Sequence, residues 1–236
     1  MEPSLAIATL RREGTAFAAL LTPDALDVDI VSCPGWTLED LARHLGGVHR
    51  WARQAILHGP SEEPAGPSDP GAIRPWFEAG LEELAGTLED RRPDQECWTF
   101  ADPPTVAFWL RRQAHETALH RWDAATSLGQ SVRFSESLAE DGIDEVVDMY
   151  LPRQLRLGRL TAGPEQVDVV SSSGRTFRVS TNTTGERAGS PDATVTGPAE
   201  ALLLLLWGRI PLADDRLTVT GSAAAAQTLL SKALAP

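Results

Sequence analysis

The chain has 236 residues, 42% of them hydrophobic and 23% charged, a length and composition that suit one large or two small globular domains. Its net charge of −12 sets an average field that repels nucleic acid and anionic membranes alike. The longest apolar run, Ala201–Trp207, is too short to span a bilayer. No early segment has the basic-then-apolar pattern of a signal peptide, and Cys33 and Cys97 make neither a CxxC pair nor a disulfide framework. A reduced cytoplasmic protein that binds neither nucleic acid nor membrane is expected.

The first predicted helix covers residues 3–22. A second starts after the turn Cys33-Pro34-Gly35-Trp36, where Thr37 can cap and Asp40, three residues on, completes a capping box. Its apolar stripe, Leu38, Leu41, Leu45, Val48, Ala52 and Ile56, runs to about His58. His44 and His49 flank that stripe on opposite sides, each roughly 70° from its centre. Residues 60–71, rich in Pro, Gly and acidic groups, read as a loop. A third helix is expected over 73–90 and a fourth over 105–128, closed by Gly129. A fifth, over 136–151, ends at Pro152 and carries an acidic run that reads as a solvated face.

Beyond residue 160 the pattern changes. Val167–Val170 and Thr176–Ser180 predict a hairpin across Ser171–Gly174. Residues 181–190 read as a polar loop and Ala193–Thr196 as another strand. A leucine-rich helix over 198–208, a strand over Leu217–Thr220 and a last helix capped by Ser222 complete the chain. The expected fold class is α+β: a four-helix bundle within residues 1–152, then a small α+β domain over 160–236.

The chemistry concentrates in the fourth helix, in RRQAHETALHRWD (111–123). Glu116 and His120 are one turn apart on one face, in a row with Trp109, Gln113 and Asp123. A carboxylate and an imidazole beside a core-facing stripe must be paired, protonated or metal-bound. Such a pair can hold one cation, or be an ordinary Glu–His hydrogen bond or part of a solvated face. The HETALH run is not the HExxH zinc motif, because His115 lies five residues before His120, about 140° round the helix. A metal centre here needs a third ligand, and His44 or His49 could supply it.

Three segments carry a family resemblance: CPGWTLEDLARHLGGVHRWA (33–52), ETALHRWDAATSLG (116–129), and DATVTGPAEALLLLLWGRIPL (192–212) with LTVTGS (217–222). Together they resemble the mycothiol-dependent maleylpyruvate isomerase family of DinB-like metal-binding bundles. The resemblance implies a divalent metal, usually zinc, held by His44, Glu116 and His120, with His49 and His58 as surface or pocket-edge residues. It also implies an arginine of the small domain beside the metal, best matched by Arg209. By itself that residue reads as a charge closing a helix C-terminus.

Three ligands leave a tetrahedral zinc open, as in catalytic sites. Neither Cys33 nor Cys97 matches a catalytic thiol position, so the nucleophile implied is an external small thiol, mycothiol. The function implied is attack of that thiol on an electrophilic small molecule, as an isomerase or an S-transferase, by a monomer or homodimer. A non-catalytic metal- or small-molecule-binding module and a thiol-independent metallohydrolase are the alternatives.

Overall fold

The computed structural model describes residues 1–182 and 189–236, so part of the predicted polar loop over 181–190 lies outside the described residues. Two compact units are present, Met1–Arg133 and Phe134–Pro236. The first contains four long helices: α1 (Pro3–Leu20), α2 (Leu38–His58), α3 (Ile73–Glu89) and α4 (Val106–Ser127). Helix α2 begins as its sequence dictates. The Thr37 side chain accepts from the Asp40 N–H while the Asp40 carboxylate accepts from the Thr37 N–H, which closes the capping box.

Helix α1 packs on α3 and α4, and α2 packs on the same two helices, which closes a four-helix bundle. Its core holds Leu10, Phe17, Leu41, Leu45, Phe77, Leu84 and Trp109, all essentially without solvent contact. Ring contacts fix the sense of the α2–α4 pair. His44 meets His120 at a centroid distance of 5.3 Å, and Trp51 meets Trp109 at 5.2 Å. Advancing along α2 therefore means retreating along α4, so the two run antiparallel.

The segment after α2 is laid along that helix rather than left in solvent. The Trp51 Nε1–H donates to Ser61 O at 2.9 Å, and the Arg43 Nε–H donates to Pro67 O at 2.9 Å. Gly47 permits this approach. A methyl group there would sit 2.5 Å from Glu63 Oε1 and 3.1 Å from the Pro64 carbonyl oxygen.

The second unit opens with α5 (Glu136–Glu145), which packs on α7 (Ala199–Leu206) and so groups with the C-terminal residues. The expected division, at about 152–160, placed this helix with the bundle. Nor does helical structure end at Pro152. A π-helical turn over Val146–Tyr150 leads into α6 (Leu151–Arg156), with Pro152 in its first turn. Proline lacks an N–H and crowds the carbonyl four residues back, and the wider π turn accommodates both.

The acidic run of α5 is only in part the solvated face expected of it: Glu136 and Asp148 are exposed, but the residues between them are taken up by protein. Glu140 accepts hydrogen bonds from the Ser171 and Ser173 hydroxyls, Asp144 holds Arg175 with both oxygens, and Glu145 is buried. A sequence shows that a face is charged, but the partner arriving from the hairpin turn decides whether water or protein solvates it.

Four strands, β1 (Gln166–Ser171), β2 (Thr176–Ser180), β3 (Ala193–Gly197) and β4 (Thr218–Gly221), form one sheet in the order β2-β1-β3-β4. The β1–β2 and β3–β4 pairs are antiparallel, and β1 runs parallel to β3 with Val169 opposite Val195. Val167, Val169, Ala193 and Val195 alternate inward and meet α7 and α8 (Ala223–Leu230). Every residue of α7 is buried. Its one carboxylate, Glu200, accepts the Phe134 N–H at 3.1 Å and faces Arg216 at 3.8 Å.

Candidate metal centre

The α2–α4 contact brings His44, Glu116 and His120 together, one donor atom from each lying within 4.8 Å of the others. Glu116 Oε1 is 3.2 Å from His120 Nε2 and 3.6 Å from His44 Nε2. Zinc bonds of 2.0–2.1 Å in a tetrahedron set donor–donor separations of roughly 3.3–3.4 Å. The donor set thus fits a divalent cation without rebuilding the helices.

Each member is held from behind. His120 Nδ1 lies 3.0 Å from Asp123 Oδ2, and the Ser32 hydroxyl donates to Asp123 Oδ1 at 2.5 Å. The Arg112 guanidinium, also buried, donates to Glu116 Oε2 at 2.6 Å. The Trp36 indole contacts the His44 ring at a centroid distance of 5.0 Å, and Glu63 Oε1 stands 3.6 Å from His44 Nδ1. Oriented outer carboxylates of this kind fix the tautomer and angle of a ligating histidine.

The electrostatics follow from this packing. Burial disfavours the His44 imidazolium, but Glu116 and Glu63 outweigh it and raise the group to about 9. Burial likewise opposes charge on His120, yet Asp123 and Glu116 raise it. Burial alone would raise Glu116, but Arg112, His120 and His44 hold it well below the usual carboxylate range. The centre is built to keep its carboxylate ionised and to hold positive charge beside it.

His49 departs from its expected place at a surface or pocket edge. It is fully buried, with Nε2 2.9 Å from Thr117 Oγ1 and its ring 5.2 Å from that of Phe77. Burial pushes this imidazole down to about 3, so it stays neutral. Its spacing from Leu45 and Ala52, four before and three after, was the available signal. His58 is exposed, and His115 is buried outside the donor set.

Arg209 belongs to the second unit. There its Nη1–H donates to Trp207 O at 3.0 Å, and it lines a cavity of about 610 Å³ walled by the end of α7 and the C-terminal residues. Arg112, Glu63 and Ser32 complete the surroundings of the donor set. Arg112 carried a signal, four residues before Glu116, whereas Ser32 and Glu63 lie in connecting segments without periodicity.

Cys33 also comes close, its Sγ 4.0 Å from Asp123 Oδ2, and with Asp123 and His120 it forms a second convergent donor set. Neither cysteine is in a disulfide. Among the described residues no helix is long and apolar enough to cross a membrane.

Fold and site define a four-helix bundle that gathers two imidazoles and a carboxylate between its second and fourth helices, followed by a small α+β unit. The family model of the mycothiol maleylpyruvate isomerase N-terminal domain matches residues 7–125, and that of the MDMPI C-terminal domain matches residues 137–228. The chain belongs to this enzyme family. Its fold is similar to the crystal structure of the mycothiol-dependent maleylpyruvate isomerase and to that of a histidine-to-alanine mutant of it. Both are 14% identical with a TM-score of 0.68, and 93% of each chain is covered. No curated protein matches the chain significantly.

Proposed function

We propose that the chain is a mycothiol-dependent isomerase or S-transferase of small electrophiles, with His44, Glu116 and His120 holding a divalent cation, most simply zinc. The observation that carries the reading is the convergence of those three donor atoms within 4.8 Å between α2 and α4. When bound, such a cation supplies a site at which a thiol loses its proton and becomes a nucleophile near neutral pH.

The rest is work for this chain's own residues. Asp123 fixes the His120 ring so that Nε2 faces the centre, and Arg112 neutralises the far oxygen of Glu116. The His44–Glu116–His120 set is preferred over Cys33–His120–Asp123 because Asp123 already spends Oδ1 on Ser32 and Oδ2 on His120. In the isomerase reaction the thiolate adds to an activated double bond, the resulting single bond rotates, and thiolate departure leaves the trans product. In the transferase reaction the carbanion left by the addition takes up a proton, replacing the one the thiol lost, and the adduct is kept. Arg209 is the proposed contact for an anionic group of the substrate, since a guanidinium holds a carboxylate bidentately.

Elemental analysis of the purified protein tests the centre. About one divalent metal per chain is expected, lost in His44→Ala and in His120→Ala and kept in His115→Ala. Full occupancy in both ligand variants would reject the assignment. Turnover of an activated alkene or other electrophile should require added mycothiol. Turnover without any small thiol would favour a water-activating hydrolase instead.

A further inference from the structure

Within the second unit lies a cavity of about 490 Å³ that shares no residue with the donor set. Leu151, Leu155 and Leu160 form its apolar walls, and Arg156, Ser180 and Asn182 bring its polar groups. We propose that this cavity is a separate ligand site for an organic monoanion, a carboxylate carried on a hydrocarbon body.

The charge comes from the way α6 ends. Its sequence sets arginines three apart, at 153, 156 and 159. The helix stops at Arg156, and Gly158 takes a left-handed φ of 67°. The Arg159 N–H then bonds back to Gln154 O and the Gly158 N–H to Leu155 O, both at 3.0 Å, which is the Schellman pattern. That turn folds Arg159 back towards Arg153 and Arg156. Burial first, then the charges of Arg159 and Arg156, hold Arg153 below the ordinary guanidinium range. All three still carry their charge at neutral pH. One cation complements the end of a six-residue helix, whereas three repel one another. The Arg156 and Arg159 side chains make no hydrogen bond or ion pair among the described residues. A chain with 33 carboxylates against 21 basic side chains has thus left two guanidinium groups without one, and Arg156 lines the cavity.

The lining decides the ligand class. Ser180 is buried, at 7% exposure. Its Oγ accepts the Asn182 N–H at 3.2 Å, and its own proton has no acceptor among the described residues. A carboxylate only accepts hydrogen bonds, so it suits a guanidinium and a spare hydroxyl proton alike. A single guanidinium in the lining matches a single negative charge. Inorganic phosphate would leave the leucine walls facing water, and a neutral apolar ligand would leave the arginines unrelieved. A head and a hydrocarbon body on one molecule answer both features. The volume falls within the roughly 300–1,000 Å³ of small-ligand sites.

Octanoate, titrated calorimetrically into the purified full-length protein, tests the site. Saturable binding is expected, weakened at least ~10-fold in the Arg156→Gln, Arg159→Gln double variant. Both arginines are exposed, so the variant should keep its fold, which circular dichroism verifies. On the wild type, 1-octanol and inorganic phosphate should each bind at least ~10-fold more weakly than octanoate, because one lacks the charge and the other the body. Octanoate affinity should be unchanged in Arg209→Met and after metal removal by a chelator. Absence of saturable binding, or equal affinity in wild type and the folded double variant, would overturn the proposal. So would octanol or phosphate binding as tightly as octanoate. Loss of binding in Arg209→Met or on metal removal, with the double variant unaffected, would place the carboxylate elsewhere and overturn it too.

Discussion

Asp123 reaches two partners from a fully buried position, Ser32 through one oxygen and His120 through the other. Its charge is thus held where it can polarise the imidazole. Asp123→Asn keeps the shape but removes the charge, and metal affinity measured by competition with a chelating dye should fall about 10–100-fold. His44 sets the pH dependence. Its pKa in the metal-free fold is raised to about 9 from an ordinary value near 6.5. Its contribution to the stability of the metal-free protein is therefore fully present below that ordinary value and lost as pH rises through about 9. A metal must displace the protons on His44 and His120, both held above their ordinary value, so apparent metal affinity should climb at least about tenfold per pH unit up to about 9. A chelator competition series up to that pH reads the slope, and a flat profile would remove both histidines from the donor set.

Helix α2 shows how much one element is asked to do. Its capping box is local chemistry, and Thr37→Ala should lower stability by about 1 kcal/mol in denaturant melts. Two of its glycines serve packing rather than flexibility. A methyl at Gly46 would meet the Trp76 ring at 2.3 Å, and one at Gly47 would meet Glu63 and the Pro64 carbonyl. Alanine favours a helix over glycine by up to about 1 kcal/mol. Gly47→Ala should therefore spare α2 itself while lifting the 60–67 segment away from it. Faster limited proteolysis within that segment, at unchanged helical circular dichroism, is the expected signature. Wild-type cleavage rates would show that the segment tolerates the extra methyl.

At the scale of the whole molecule, the reading as a thiol-dependent enzyme predicts that neither native sulfur is essential. The Cys33→Ser, Cys97→Ser double variant should keep most of its mycothiol-dependent turnover, although Cys33 lies close to Asp123. Arg209→Met should leave metal content and melting temperature intact while cutting kcat/KM at least ~10-fold, the loss of one charge-assisted contact. Arg209→Lys should restore little, because an ammonium cannot reproduce the bidentate fork. Kinetics equal to wild type would return Arg209 to a helix-end role. The spans of the four bundle helices, the Thr37 cap, the hairpin and the Glu116–His120 row were all legible in the sequence, because each depends on periodicity or on partners within a few residues. The choice between His44 and His49 was not legible from the residues alone. Both flank one apolar stripe, and what separates them is the opposing surface: Glu116 and His120 across from one, Thr117 and Phe77 around the other. The same holds for Glu63, brought to His44 by a segment without periodicity, and for the acidic face of α5, which is taken up by Ser171, Ser173 and Arg175. Side-chain direction along a helix is set by local geometry, but whether a polar group there meets water, an ion pair or a donor set is decided by residues distant in sequence, and only the tertiary contacts bring those into place.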